Sequence, residues 1–215
     1  MIKNLFTTRV GAHVWQMDTE DSDIDLFRVF VVSTPDLLMG KANVHSEFVQ
    51  KPGVDLSKHE ISSVATQLAK GNINFVIGVL SPSVIKTGPA HQALKHVVSH
   101  NLSKNCYHSI RGMSEHNWKL HIKSGWVNEH ECNKIGRVLQ FGVTLLETGK
   151  VDFKPFSGGT MDSLKDLFEK LDKAYINSTL PEEPDKEALY AWVYGVRVWE
   201  WGLEKYMGFK QKMFL

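Results

Sequence analysis

The stretch GAHVWQMDTEDSDID, from Gly11 to Asp25, ends in two aspartates one residue apart and leads directly into the apolar segment LFRVFVV. In a β-strand, successive side chains point to opposite faces, so Asp23 and Asp25 share one face while Ile24 points toward the core. Two carboxylates held one pleat apart repel each other unless a cation lies between them. Hard oxygen ligands of this kind suit Mg²⁺ or Mn²⁺, so the pattern indicates metal-assisted phosphoryl chemistry.

The same acidic run is also typical of a solvated turn, because Asp and Ser side chains bond to their own backbone and tolerate tight bends. A calcium-binding EF-hand loop is excluded, since the required glycine and glutamate are replaced by Leu26 and Val32. Gly11 favours the functional interpretation, because a glycine beside a phosphate site lets the backbone approach the ligand closely. The local pattern alone leaves both interpretations open.

The length and composition describe an ordinary globular protein. The chain has 215 residues, of which 42% are hydrophobic, which suits one domain or two closely packed subdomains. No apolar run approaches the ~18 to 20 residues that span a bilayer, and the first residues lack the apolar core of a signal peptide. Cys106 and Cys132 lie far apart and match no ligand spacing. We therefore expect a cytoplasmic protein with no membrane partner.

Charge is unevenly distributed, although the net charge is only +1. From Lys86 to Lys134 there are seven Lys or Arg residues and three Glu, whereas from Val151 to Tyr190 there are nine acidic residues and five lysines. A basic middle segment is compatible with an anionic partner such as a nucleotide or a nucleic acid. It is equally compatible with a solvated helical surface.

The hydrophobic periodicity changes after the first ~55 residues. Before that point, short strands are expected at Val29–Val32 and Phe48–Leu56, with turns at residues 34–36 and 52–53. From Ser57 the apolar spacing predicts a helix, with Ser57 and Glu60 as its capping box and Gly71 as its stop. Beyond residue 82, helices are expected at residues 89–102, 105–122, 128–148, 162–177 and 190–201.

Four blocks of the sequence carry a family resemblance. They are GAHVWQMDTEDSDID at residues 11–25, DLSKHEISSVATQLAKGNINFVIGVLSP at 55–82, RVLQFGVTLLETGKVDFKP at 137–155 and NSTLPEEPD at 177–185. In this order they resemble the nucleotidyltransferase superfamily of DNA polymerase β-like fold. Within it, they resemble the RlaP family of predicted nucleotidyltransferases found near RNA-repair ligases.

The resemblance implies an α+β fold. A small mixed β-sheet core with flanking helices would occupy residues 1–85, and a mostly helical region packed on it would occupy residues 86–215. By the same resemblance, Asp23, Asp25 and Asp55 would be the catalytic carboxylates and would bind two divalent ions, Mg²⁺ or Mn²⁺. Glu60 is the rival of Asp55 for the third carboxylate.

The resemblance also implies a reaction. A nucleoside monophosphate would pass from a nucleoside triphosphate to a hydroxyl acceptor with release of pyrophosphate, and the acceptor would be an RNA end, a protein side chain or a small molecule. Gly11, Ala12 and Arg28 would bind the nucleotide, with charge also neutralised by a Lys or Arg of the helical half.

The chain departs from the family pattern beside these residues. Ala12 lacks the hydroxyl of the family's Gly-Ser pair, and Phe27-Arg28 replaces Arg-Gly. The alternative function is therefore a catalytically impaired nucleotide-binding or interaction module that retains the fold. A third interpretation is a helical nucleic-acid-binding protein whose acidic motif is only a turn.

Overall fold

The computed structural model describes residues 2–41, 46–124 and 128–213, except for the side chains of Ser124 and of residues 203–213. It has the expected α+β fold, with a five-stranded mixed sheet in the N-terminal half and a mostly helical C-terminal half. The domain boundary near residue 85 remains a prediction. The elements are β1 (Ile2–Arg9), α1 (Gly11–Val14), β2 (Ile24–Val32), α2 (Thr34–Leu38), β3 (Glu47–Lys51), β4 (Val54–Glu60), α3 (Ile61–Ala69), α4 (Ile73–Leu80), β5 (Val84–Lys86), α5 (Pro89–Ser99), α6 (Cys106–Ser124), α7 (Glu129–Thr148), α8 (Met161–Asn177) and α9 (Lys186–Met213).

The strand order across the sheet is β3-β4-β2-β1-β5. The central strand β2 pairs antiparallel with β1 and parallel with β4, while β3 and β4 form an antiparallel hairpin. Pro52 and Gly53 make the hairpin turn, as the sequence predicts, and the φ of Gly53 is +74°. A positive φ of this kind is accessible to glycine at little steric cost. The predicted turn at residues 34–36 instead begins α2.

One face of the sheet packs against helices. Phe27 on β2 lies so close to α4 that a Cβ atom on Gly78 would stand 2.6 Å from its ring. On the neighbouring strand, the Thr8 hydroxyl donates to the Gly78 carbonyl oxygen at 2.6 Å. Because side chains alternate along a strand, Asp25 lies on this same helix-covered face of β2.

The predicted start of the first long helix is wrong. Ser57 is a strand residue paired with Phe27, and its hydroxyl donates to the Leu26 carbonyl oxygen at 3.1 Å. The helix begins at Ile61, and Glu60 is its N-cap, accepting a hydrogen bond from the Ser62 backbone amide at 2.8 Å. Cross-strand pairing with β2 outweighs the local capping pattern, so β4 takes four residues that the periodicity assigned to the helix.

The helices of the C-terminal half agree with the sequence pattern to within a few residues, although α9 begins earlier and runs further than expected. Gly149 ends α7 in the left-handed conformation, with φ +67°. Trp15, just after α1, packs edge-on against Phe141 of α7 and also contacts Phe153. The end of the sheet that carries α1 is thus joined to the helical half. Among the described residues, no helix is long and apolar enough to cross a membrane.

A buried ion pair attaches α9 to the sheet. The Arg197 guanidinium donates to Glu60 and, at 2.7 Å, to the Val32 carbonyl oxygen. The Glu60 side chain is fully buried, and that of Arg197 is 11% exposed. One helical turn further on, Glu200 accepts hydrogen bonds from the backbone amide and hydroxyl of Thr34. The last helix therefore holds the ends of β2 and β4 together.

We expect His59 to make stability depend on pH. Its ring lies between those of Phe27 and Phe75, and burial lowers the pKa of His59 from 6.5 to about 4. Between those pH values the unfolded chain binds a proton that the folded chain does not, so stability falls as the pH decreases from about 6.5 to 4. Urea denaturation measures the free energy of unfolding at each pH. Between pH 6.5 and 4 this free energy should fall by about 1–3 kcal/mol more in wild type than in His59→Phe. Parallel pH profiles of the two proteins would contradict this assignment.

Candidate active site

Asp25 and Asp55 face each other across the parallel pair β2 and β4. They are register partners at the N-terminal ends of their strands, where directly opposite side chains lie on the same face. Asp23 precedes β2 by one residue and is exposed. The three predicted carboxylates thus lie at the same end of the sheet, although they are up to 32 positions apart in sequence.

Gly11 lies directly against the carboxylate of Asp25. The strand before it is held to β2 by the Val10 amide, which donates to the Asp25 carbonyl oxygen at 2.9 Å. Gly11 has φ +63°, and a Cβ atom there would stand 1.8 Å from Asp25 Oδ2. Both the backbone conformation and the contact therefore require glycine. Ala12 follows as the second residue of the short helix α1.

The electrostatics of Asp25 reflect a shared acidic site. Burial raises the pKa of its carboxyl above the usual range, and the charges of Asp55 and Asp23 raise it further. Arg137 and His13 act in the opposite direction. A carboxylate whose charge is disfavoured by its neighbours is stabilised by a cation placed among them, and oxygen donors of this type fit Mg²⁺ or Mn²⁺.

The side chains are not gathered into a closed metal cage. Among the described residues, no group of three or more His, Cys, Asp or Glu side chains is close enough to hold an ion. A magnesium ion characteristically retains several water ligands and takes only one or two carboxylates plus substrate phosphates. The open arrangement of Asp23, Asp25 and Asp55 suits such a site, which substrate phosphates would complete.

Arg137 of α7 lies near the acidic site and was not predicted as a site residue, although it is the first residue of the third family block. Burial lowers the pKa of its guanidinium, whereas the charge of Asp25 raises it, so the two groups lie within electrostatic range. Its Nε atom is buried and has no hydrogen-bond partner among the described residues. The guanidinium carbon lies 5.8 Å from the centroid of the Trp15 ring. The helical half therefore supplies a cation with spare hydrogen-bonding capacity beside the acidic site.

His13 is a second neighbour that the sequence reasoning did not single out. Its Nδ1 lies 3.1 Å from Asp18, while its Nε2 is buried and has no hydrogen-bond partner among the described residues. It follows Gly11 by two residues on α1. The sequence signal for His13 is this position two residues after Gly11.

Two predicted residues lie elsewhere. Arg28 is three residues beyond Asp25 on an unbroken strand, so it lies on the opposite face of the sheet, where its Nε donates to the Thr7 hydroxyl at 3.4 Å. Glu60 lies at the opposite end of β4 from Asp55, where it forms the buried ion pair with Arg197. The structure therefore brings Asp55, rather than Glu60, to the aspartate pair, and it does not bring Arg28 there.

A comparison with protein families gives a match over most of the chain. A family model described as RlaP, the RNA repair pathway DNA polymerase beta family, matches residues 1–199. The chain belongs to the RlaP family. RlaP membership indicates a nucleotidyltransferase-like protein of an RNA repair pathway. The expected family assignment is thus confirmed.

A curated relative is similar to this RlaP chain over much of its length. It is the uncharacterized protein MJ0002 of Methanocaldococcus jannaschii, which is 25% identical over 164 residues. The match covers 62% of this chain and 68% of the relative. The name of this relative assigns no activity, so the site residues must be tested directly.

Proposed function

We propose that this RlaP protein is a metal-dependent nucleotidyltransferase that moves a nucleoside monophosphate from a nucleoside triphosphate to a hydroxyl acceptor. The observation that carries the proposal is the placement of Asp25 opposite Asp55, with Gly11 packed against the Asp25 carboxylate. Family membership supports the class of reaction. RNA repair, the pathway in the family description, favours an RNA end over a protein or a small molecule as the acceptor.

The residues have separate tasks in the transfer. Asp23 and Asp25 would hold Mg²⁺ or Mn²⁺, which when bound neutralises the triphosphate and lowers the pKa of the acceptor hydroxyl. Asp55 would accept the proton of the acceptor hydroxyl while the hydroxyl oxygen forms a bond to the α-phosphorus. The bond from the α-phosphorus to the leaving oxygen breaks in line, and pyrophosphate departs.

The backbone and the cations would position the triphosphate. Since Gly11 has no side chain, its backbone can approach the phosphates closely. The unpartnered Nε of Arg137 is suited to donate to a phosphate oxygen, because guanidinium groups bind phosphate through charge-assisted hydrogen bonds. These contacts would grow stronger as charge develops on the leaving pyrophosphate.

A nucleotide-binding module without turnover is the second candidate. The specific observation in its favour is Ala12, which offers no hydroxyl where the family pattern has serine. Such a module would bind a nucleoside triphosphate in the presence of metal and would release no pyrophosphate.

The test is pyrophosphate release from each α-labelled nucleoside triphosphate, in Mg²⁺ and then in Mn²⁺, with cellular RNA and protein as acceptor pools. We compare wild type with Asp23→Asn, and with Asp166→Asn as a control for an exposed carboxylate on α8. Wild type and the control should transfer label to one pool, and Asp23→Asn should be at least about tenfold slower, because it lacks one metal-binding charge. Metal-dependent binding without release in wild type would instead identify the module.

A further inference from the structure

A second concave site lies at the other end of the sheet. It is a cavity of 460 Å³ between the first half of β1, the start of α5 and the middle of α9. That volume is typical of small-ligand sites. From Asn4, on its wall, β1 runs six residues to Val10 beside the aspartates, a separation of about 20 Å at the rise of a strand. The cavity is thus distinct from the acidic site.

Two tryptophans line the cavity among small and aliphatic residues, and its polar side chains are cationic or neutral. Trp192 is fixed by a hydrogen bond from its indole nitrogen to the Ala90 carbonyl oxygen at 2.9 Å. Trp199 is 46% exposed, and the Lys3 ammonium lies 3.8 Å from its ring centroid. Lys86 also lines the cavity. None of the described lining residues is acidic. The site therefore combines flat apolar surfaces with two positive charges.

Gly195 leaves this cavity open. It lies inside α9, where glycine is among the least favourable residues, and its backbone φ is not positive. A Cβ atom at this position would meet no atom within 4 Å. Neither the backbone conformation nor close packing requires glycine here. The consequence of its missing side chain is free space beside Trp192 and Trp199.

An exposed edge leads from the cavity toward the acidic site. Lys86 lies on the edge strand β5, opposite Thr7 of β1. The chain just before β5 is bonded to the end of β1, since the Arg9 amide donates to the Ser83 carbonyl oxygen at 2.8 Å. Arg9 is itself exposed and is two residues from Gly11. Cationic side chains thus lie at both ends of this edge, Lys86 at the cavity and Arg9 near Gly11.

We propose that the cavity binds one nucleotide of single-stranded RNA, with its base against the exposed Trp199 indole and the apolar floor that includes the buried Trp192, and with its phosphate near Lys3 and Lys86. Bases stack on aromatic side chains with little sequence preference, and lysines neutralise the backbone phosphates. An RNA strand held here would follow the β5 edge and present its 3′ hydroxyl about 20 Å away, at the aspartates. This inference rests on the proposed function, because it names RNA as the acceptor of that reaction.

The test is the affinity for a fluorescein-labelled single-stranded RNA decamer, measured by anisotropy in the absence of nucleoside triphosphate. Gly195→Leu places a side chain in the cavity and should weaken binding at least about tenfold, the loss expected when one stacked base is displaced. Gly195→Ala adds a single carbon and should remain within about twofold of wild type. Gly112→Leu is the matched control, since Gly112 is also an exposed helical glycine with no atom near its added Cβ.

The outcomes are decisive in either direction. Circular dichroism and thermal unfolding establish that each variant is folded. Equal RNA affinity in wild type and Gly195→Leu would overturn the proposal. So would displacement of a fluorescent apolar probe from the cavity by decanoate but not by RNA, which would identify an apolar anion as the ligand.

The acidic site is tested separately, by pyrophosphate release. If wild type releases no pyrophosphate but Gly195→Leu loses RNA affinity, the transferase proposal fails and the RNA site stands. If wild type releases pyrophosphate while Gly195→Leu binds RNA as tightly as wild type, the RNA-site proposal fails and the transferase proposal stands.

Discussion

Replacing Asp25 by Asn is expected to lower pyrophosphate release by about 10²–10³-fold while raising thermal stability. The two effects share one cause. Burial and the charges of Asp55 and Asp23 raise the pKa of the Asp25 carboxyl, so ionising it costs more free energy in the folded protein than in the unfolded chain. Asparagine has nearly the same shape and carries no charge. It therefore relieves the repulsion and at the same time removes a ligand for the metal.

Thermal unfolding with and without Mg²⁺ provides the measurement. In metal-free buffer Asp25→Asn should melt at a higher temperature than wild type, and added Mg²⁺ should stabilise wild type more than the variant. Asp166→Asn, exposed on α8, should follow wild type in both experiments. An Asp25→Asn protein that melts earlier and responds fully to Mg²⁺ would contradict the placement of Asp25 in a metal site.

Arg197→Ala is expected to lower the free energy of unfolding by about 3–5 kcal/mol, the usual cost of leaving one member of a buried ion pair alone. Glu60 would then hold a fully buried charge, and the Val32 carbonyl oxygen would also lose its Arg197 donor. Chemical denaturation measures the change. The matched control is Lys165→Ala, which breaks an exposed pair with Asp162 and should cost no more than about 1 kcal/mol.

A second substitution separates charge from packing. Adding Glu60→Gln to Arg197→Ala removes the unpaired charge, so the double variant should recover part of the lost stability. If Arg197→Ala is no more harmful than Lys165→Ala, the pair does not hold α9 to the sheet.

The sequence predicted the helices best where the periodicity and the end signals agree. The α7 helix ends at Gly149 because the left-handed conformation favours glycine, and that signal is local. The start of α3 was misplaced because the deciding interaction is not local. Ser57 pairs with a strand about thirty positions earlier, and no window around residue 57 contains that strand.

The candidate site shows the same division. The Asp23 and Asp25 pair and Gly11 belong to one short motif, and the family resemblance adds Asp55. The placement of Arg137 depends on how α7 packs near α1 through Trp15, which a linear motif does not express. Arg28 is the converse case. It is near Asp25 in sequence, yet strand alternation puts it on the other face. The catalytic and binding roles themselves remain predictions until the variants are measured.

The link between Glu60 and Arg197 also has a consequence for synthesis on the ribosome. The partners are 137 positions apart, so Glu60 is translated long before the arginine that neutralises it. Until α9 emerges, burying that carboxylate costs the nascent chain a large desolvation free energy. The ends of β2 and β4 also lack the hydrogen bonds that Arg197 donates to them. A chain interrupted before α9 would therefore leave Glu60 without its cation and the ends of β2 and β4 without their contacts to the last helix.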